Sequence, residues 1–189
     1  MRRVLACAVW IAALVGAHAS AQDAPTVADA RASMLGDWEG KFELLDEGTS
    51  ETFEWPVAVS IEDAGDGRTH IERQQFAAMD DDGALQILVT LLDPDGMTEH
   101  GTLFTRGTVP EHRTVTLSLS AGEDASHWTL FGVEDYERDG ELLQARYLVT
   151  RDGDSLVATF EVDPSGDEPP FGMTRRTLRR VEPAENDEP

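Results

Sequence analysis

Hydrophobic and polar residues alternate along most of this chain with a period of two. In the segment 37–45, Trp38 and Phe42 fall on one face of the pattern, and the charged residues between them fall on the other. The segments 53–61 and 113–120 repeat this alternation. Because successive side chains of a β-strand point to opposite faces, the period is typical of strands with one buried face.

The pattern predicts about ten strands joined by tight turns. Asp-Gly pairs such as Asp82-Gly83 and Asp152-Gly153 separate consecutive strands, and they suit hairpin turns, which require positive φ angles. One short helix is expected over 26–35, with Thr26 as its N-cap. The predicted strands occupy 37–45, 53–61, 69–79, 84–92, 97–105, 113–120, 126–136, 141–151, 155–163 and 171–181.

Consecutive hairpins favour an all-β fold in which each strand pairs with its neighbours in the chain. A meander of this length exposes two sheet edges, and closure into a barrel removes them. We therefore predict a single antiparallel up-and-down β-barrel of about ten strands, preceded by one short N-terminal helix. The barrel domain is expected to occupy 22–181, and the acidic segment 182–189 is expected to be a disordered tail.

The motif Gly36-x-Trp38-x-Gly40 stands where the helix is expected to meet the first strand. A large indole at this place can close one end of the barrel as its floor, and Gly40 leaves space on the same face. Gly36 allows a sharp turn from helix to strand, because glycine adopts backbone angles that other residues avoid. These residues predict a barrel floor built around Trp38.

Two segments carry a resemblance to known barrels. LGDWEG (35–40) resembles the opening of lipocalin-like (calycin) and nitrobindin-type barrels, and GMTRRTL (172–178) is similar to the last strand of uncharacterised exported bacterial lipocalin-like domains. The resemblance implies that a basic side chain of the final strand, Arg176 or a neighbour, packs on Trp38 by a cation–π contact. The cysteine pair of many secreted lipocalins is missing. A histidine near the C-terminus that would hold haem is also missing, since His127 is the last one, and we predict no cofactor.

Residues 1–21 are typical of a secretory signal peptide. Arg2 and Arg3 precede an apolar run at 4–17, and the segment ends in small residues suited to cleavage after Ala21. The run is shorter than the roughly 20 residues of a membrane-spanning helix. We therefore expect an exported protein, periplasmic or secreted, with no membrane span after cleavage. A retained anchor and a lipoprotein acylated at Cys7 are the alternatives, although the apolar run follows that cysteine.

The chain is strongly acidic. Its formal net charge of −22 at pH 7 becomes −24 when Arg2 and Arg3 are removed with the leader. A field of this sign repels nucleic acid and anionic lipid surfaces, so neither is an expected partner, and we expect a monomer. High solubility explains the charge more simply than a cationic partner or a calcium-rich surface, since no Asp-rich turn fits the EF-hand calcium loop.

The inward faces of the strands predict a ligand cavity. A barrel interior with a few polar groups among apolar side chains can orient a ligand. The alternation does not decide which face of 69–79 is inward, because both faces carry polar side chains. The predicted cavity residues are Phe42, Trp55, Arg73, Gln75, His100, Leu117 and Phe160.

We predict no catalytic residue and no metal site. The sequence contains no Gly-x-Ser-x-Gly motif, phosphate loop or dinucleotide fingerprint. His70 and His100 supply at most half of a zinc site, which needs three or four converging ligands. The function expected is therefore an exported binding module that holds a small apolar or amphipathic ligand in the barrel.

Two alternatives remain open. One is a barrel enzyme, a hydrolase or an isomerase, which requires at least two converging titratable side chains such as His70 and His100. The other is a filled barrel with a structural or interaction role in the cell envelope. The volume of the interior distinguishes a filled barrel from a binding module.

Overall fold

The computed structural model describes residues 25–46, 51–77, 84–138, 140–163 and 171–182. The predicted signal peptide, the turn at 80–83, the loop at 164–170 and the tail from 183 onwards lie outside these residues. The elements are α1 (Val27–Ser33), β1 (Gly36–Leu45), β2 (Thr52–Asp63), β3 (Thr69–Phe76), β4 (Ala84–Leu92), β5 (Thr98–Thr105), β6 (Glu111–Asp124), β7 (His127–Arg138), β8 (Glu141–Asp152), β9 (Ser155–Asp163) and β10 (Phe171–Arg180).

The ten strands form one closed antiparallel barrel. β1 pairs with β2 on one side and with β10 on the other, and every other strand pairs with its neighbours in the chain. Closure removes the unpaired edges that a ten-stranded meander would otherwise expose. The predicted fold class, a single up-and-down barrel of about ten strands after one short helix, is confirmed.

Aspartates shape the turns between strands. Oδ1 of Asp95 accepts the backbone N–H groups of Met97 (2.8 Å) and Thr98 (3.0 Å). Asp66 accepts the backbone N–H of Thr69 (2.6 Å) as well as its hydroxyl (2.7 Å), and the hydroxyl of Thr69 is the main reason that the pKa of Asp66 is lowered to about 2. These carboxylates are therefore engaged by their own turns.

Helix α1 begins with a capping box. Oγ1 of Thr26 accepts the N–H of Asp29 (3.2 Å), and Oδ2 of Asp29 accepts the N–H of Thr26 (2.9 Å), so two N–H groups without a helical partner are satisfied. Val27, Ala30 and Arg31 form the buried face of the helix. Within the described part of the chain, no helix has both the length and the hydrophobicity that crossing a bilayer requires.

Two tryptophans tie the end of α1 to the barrel. Trp38 is only 1% exposed, and its indole N–H donates to the carbonyl oxygen of Met34 (2.8 Å). The indole N–H of Trp128 donates to Oγ of Ser33 (3.0 Å) and to the carbonyl oxygen of Ala125 (3.0 Å). Trp38, near the start of β1, thus bonds to the end of α1, where the sequence predicted the barrel floor.

Two glycines shape the start of β1. Gly36 has a φ angle of 121°, which glycine adopts readily and other residues avoid. A Cβ atom at Gly40 would lie 2.0 Å from the backbone carbonyl oxygen of Thr177 in β10. The space that Gly40 leaves is therefore filled by the backbone of β10.

The guanidinium of Arg151 on β8 lies 5.8 Å from the centre of the Trp38 ring, and the nearer basic side chain belongs to Arg180 of β10. Its guanidinium lies 4.9 Å from the ring centre, and its Nη2 donates to the carbonyl oxygens of Ser33 (2.9 Å) and Leu35 (2.8 Å). The predicted residue, Arg176 or a neighbour, is corrected to Arg180, because the register of β10 on β1 places residue 180 opposite Trp38. Arg176 lies earlier on the same face of β10 and lines the barrel interior.

Candidate functional site: the barrel cavity

The barrel contains a cavity of about 430 Å³. Its wall consists of the inward faces of the strands together with side chains of α1. A volume of this size is typical of sites for small molecules. The apolar part of the wall includes Phe42, Leu88, Leu103, Leu117, Leu130 and Phe160.

Three polar side chains of the wall, Arg113 on β6, Glu134 on β7 and Tyr147 on β8, form a cluster. The hydroxyl of Tyr147 donates to Oε1 of Glu134, and the guanidinium of Arg113 lies 5.0 Å from the centre of the Tyr147 ring. Among the described residues, Nε of Arg113 and Oε2 of Glu134 are buried without a hydrogen-bond partner. The Arg113–Tyr147–Glu134 cluster therefore retains unused hydrogen-bonding capacity. Leaving such atoms unpaired costs free energy.

The electrostatics of this cluster follow from burial. Burial raises the pKa of Glu134, while the hydrogen bond from Tyr147 and the charge of Arg113 oppose that rise. Burial also raises the pKa of Tyr147, with Arg113 opposing the rise and Glu134 adding to it. Arg113 therefore favours the ionised form of Glu134, and Tyr147 is a neutral hydrogen-bond donor at neutral pH.

An ion pair joins β3 and β10 across the interior. Nη1 of Arg176 contacts Oε1 of Glu72, and the side-chain amide of Gln74 donates to the same oxygen (2.7 Å). β3 and β10 are not neighbours in the sheet, so this pair spans part of the cavity. The charge of Arg176 is thereby neutralised by Glu72.

A second buried ion pair fixes α1 to the wall. Nε of Arg31 lies 3.0 Å from Oε2 of Glu99, and the guanidinium donates to the carbonyl oxygen of Arg68 (3.0 Å) and to Oγ1 of Thr90 (2.6 Å). His70 lines the cavity and is 5% exposed. Burial, followed by the charge of Arg31, lowers the pKa of His70 to about 4, so its imidazole is neutral near pH 7.

Four of the predicted cavity residues face the interior. Phe42, Leu117 and Phe160 line the cavity. Trp55 is half-buried and is the register partner of Phe42, with the two ring centres 6.1 Å apart. The structure thus brings these side chains to the inner wall, and ligand contact by them stays a prediction.

The other three, Arg73, Gln75 and His100, lie exposed on the outer face, so their predicted place in the interior is corrected. Both faces of β3 carry polar side chains, and the alternation alone could not choose between them. The pairing of β3 with β2 shows which face of β3 is inward, since Gln74 lies opposite the buried Val59.

The two histidines of the enzyme hypothesis do not converge. His70 faces the cavity, whereas His100 lies in an outer groove, where its ring nitrogens are 3.1 Å from Oγ1 of Thr114 and 3.3 Å from Oδ2 of Asp93. In the part of the chain that the structure describes, no group of three or more His, Cys, Asp or Glu side chains is arranged to hold a metal ion.

Sequence reasoning missed the Arg113–Tyr147–Glu134 cluster. A signal was present, because Arg113 is in phase with the inward residues Val115 and Leu117. Charged residues near a strand end are ordinarily exposed, however. Only the register between β6, β7 and β8 brings the three side chains together.

Comparisons with known proteins support the fold alone. No protein-family model and no curated protein matches the chain. Among solved structures, it is similar to Rv2717c from M. tuberculosis, with a TM-score of 0.58 and 17% identity over 85% of this chain and 100% of that chain. A protein of unknown function from the DUF3598 family of Nostoc punctiforme PCC 73102 matches with a TM-score of 0.26 and 10% identity over 83% and 100% of the two chains. A TM-score this low supports no conclusion about this chain.

Proposed function

We propose that the protein is an exported, lipocalin-like binding module that holds a small apolar or amphipathic ligand in its barrel cavity. The observation that carries this proposal is the cavity of about 430 Å³, whose wall combines aliphatic and aromatic side chains with a few buried polar groups. Such a wall binds a ligand by burying apolar surface, and the polar groups orient it.

The floor supports a preformed site. Trp38 of β1 is buried, its indole N–H bonds to Met34 at the end of α1, and the guanidinium of Arg180 lies over its ring. Arg31 holds the helix to the wall. A cavity with a rigid end needs little ordering when a ligand enters. Preorganisation of this kind reduces the entropic cost of binding.

The cavity favours a binding module over the alternatives. A filled barrel would leave no space of this size. An acid–base enzyme works best with groups whose pKa lies near the working pH, whereas the pKa of His70 is lowered to about 4 and that of Tyr147 is raised. Both groups are therefore shifted away from neutrality, while the pKa of Glu134 is raised towards it by burial.

Binding of the neutral fluorescent dye N-phenyl-1-naphthylamine to the purified protein tests the proposal. We expect saturable fluorescence enhancement and a rise in melting temperature with dye concentration, because a ligand that binds only the native state stabilises it. Ala158→Phe adds bulk to the cavity wall and is expected to weaken dye binding at least about tenfold, or about 1.4 kcal/mol.

Val157→Phe is the matched control, since the adjacent residue of β9 points to the outer face. It should bind the dye as the wild type does. No binding to the wild type, or equal binding by the two variants, contradicts the proposal.

Export is a separate part of the proposal and rests on the sequence of residues 1–21. Expression of the full chain in a bacterial host with a secretion pathway, followed by N-terminal sequencing of the extracytoplasmic fraction, tests it. A mature chain that begins at Gln22 is expected. Retention of the uncleaved chain in the cytoplasm contradicts export.

A further inference from the structure

The charged side chains of the cavity wall are largely paired with each other. Arg31 lies 3.0 Å from Glu99, and Arg176 contacts Glu72. The third arginine of the wall, Arg113, belongs to the cluster that also contains a buried glutamate. Each interior cation therefore has a carboxylate nearby.

The cavity wall has no net positive charge. The described residues that line it include three arginines and four glutamates, and the whole chain carries a net charge of −22. An anionic ligand would be repelled on approach. Once inside, its charge would be buried without a free counter-charge, which is unfavourable.

The unused atoms of the Arg113–Tyr147–Glu134 cluster are one donor and one acceptor. Nε of Arg113 donates and Oε2 of Glu134 accepts, and neither has a partner among the described residues. A carboxamide or a hydroxyl group carries both a donor and an acceptor. A carboxylate has no donor for Glu134, and an alkylammonium has no acceptor for Arg113.

Apolar wall adjoins the cluster directly. The Phe160 ring centre lies 5.0 Å from that of Tyr147, and Leu117 is the register partner of Gly132, which is itself paired with Tyr147. An aliphatic chain whose polar end rests on the cluster would therefore run along these side chains.

We propose that the ligand is an uncharged amphiphile, with an amide or hydroxyl head on the Arg113–Tyr147–Glu134 cluster and an aliphatic tail along Leu117 and Phe160. This inference rests on the proposed binding function and narrows the ligand class that the cavity accepts. It excludes fatty-acid carboxylates and alkylammonium ions as the preferred occupants.

Displacement of N-phenyl-1-naphthylamine by decanamide, decanoate and nonyltrimethylammonium tests this class, because the three compounds share a nine-carbon tail and differ in the head. Decanamide is expected to displace the dye with a dissociation constant at least about tenfold lower than those of the two ions. If either ion binds as tightly as decanamide, the inference is overturned.

A variant separates the effect of the cluster from the greater hydrophobicity of the amide. In Glu134→Gln the buried negative charge is removed, so the ratio of the decanoate to the decanamide dissociation constant is expected to fall at least threefold, a change of about 0.7 kcal/mol. Glu161→Gln removes the same charge on the outer face, where Glu161 pairs with Arg146, and should keep the wild-type ratio.

The outcomes distinguish the two proposals. An unchanged ratio in Glu134→Gln overturns the inference about the cluster. Dye binding that none of the three compounds reverses overturns the ligand class and leaves the binding function standing. Failure of the dye and of all three compounds to bind overturns both. Even if the variant does not fold, the wild-type comparison still tests the ligand class, because an ion that binds as tightly as decanamide overturns it.

Discussion

The guanidinium of Arg180 lies 4.9 Å from the ring centre of Trp38, and the two residues face each other in the register of β10 on β1. The same guanidinium donates to the carbonyl oxygens of Ser33 and Leu35. The carbonyl oxygen of Ser33, at the end of α1, has no partner within the helix, and it accepts from Nη1 of Arg151 as well as from Arg180. One side chain thus joins the first strand, the last strand and α1.

Arg180→Met is expected to lower the free energy of unfolding by about 2 to 4 kcal/mol, because it removes a cation–π contact and two charge-assisted hydrogen bonds. Urea denaturation measures this loss. Arg179→Met is the matched control, since Arg179 is exposed on the outer face of the same strand. Equal losses in the two variants would show that the contact with Trp38 does not matter.

Gly40→Ala is expected to cost about 3 kcal/mol or more, because overpacking that displaces backbone is among the severe single changes. A Cβ atom at this position would lie 2.0 Å from the carbonyl oxygen of Thr177, so β1 and β10 must separate. The urea midpoint measures the effect. Lys41→Ala, which changes an exposed side chain next along the strand, should keep nearly the wild-type midpoint. A wild-type midpoint in Gly40→Ala would show that the two strands can separate at no cost.

The strands could be predicted from the sequence because their signals are local. The alternation of a strand and the Asp-Gly pair of a turn are each contained in a short stretch of sequence. The predicted bounds of β4 (Ala84–Leu92) and β9 (Ser155–Asp163) coincide with the observed ones. Barrel closure followed from the number of hairpins and from the problem of exposed edges. None of these arguments required knowledge of which side chains meet.

The interior was harder to predict because it depends on register. Arg176 and Arg180 share one face of β10, and only the pairing with β1 shows which of them reaches Trp38. The faces of β3 are polar on both sides, so the pattern could not separate Gln74 from Gln75. The residues of the Arg113–Tyr147–Glu134 cluster come from three strands, and their meeting is a property of the closed sheet.

Arg31 is 2% exposed and lies 3.0 Å from Glu99. Arg31→Met is expected to cost about 3 to 5 kcal/mol, because it leaves a mostly buried carboxylate without its partner. The double variant Arg31→Met/Glu99→Gln should recover part of this loss, since the uncompensated charge is then removed. Urea denaturation of these two variants and of the single variant Glu99→Gln measures the coupling.

The exposed pair Arg73–Glu62 (2.8 Å) provides the comparison for Arg31 and Glu99. Exposed ion pairs contribute little to stability, so Arg73→Met should change the urea midpoint only slightly. Losses that simply add in the Arg31 and Glu99 double variant would refute the coupling between these two residues.

His70 makes stability depend on pH. Burial, with the charge of Arg31 adding to it, lowers the pKa of His70 from 6.5 to about 4 in the folded protein. Between these values the unfolded chain binds a proton that the native state does not, so stability is full above about pH 6.5 and is lost as the pH falls towards 4. Urea denaturation at about pH 7 and about pH 4.5 measures how far the free energy of unfolding falls between these two values. This fall should be smaller in His70→Gln than in the wild type by about 2 kcal/mol. A pH dependence of His70→Gln identical to that of the wild type would show that His70 has the same pKa in the folded and unfolded states.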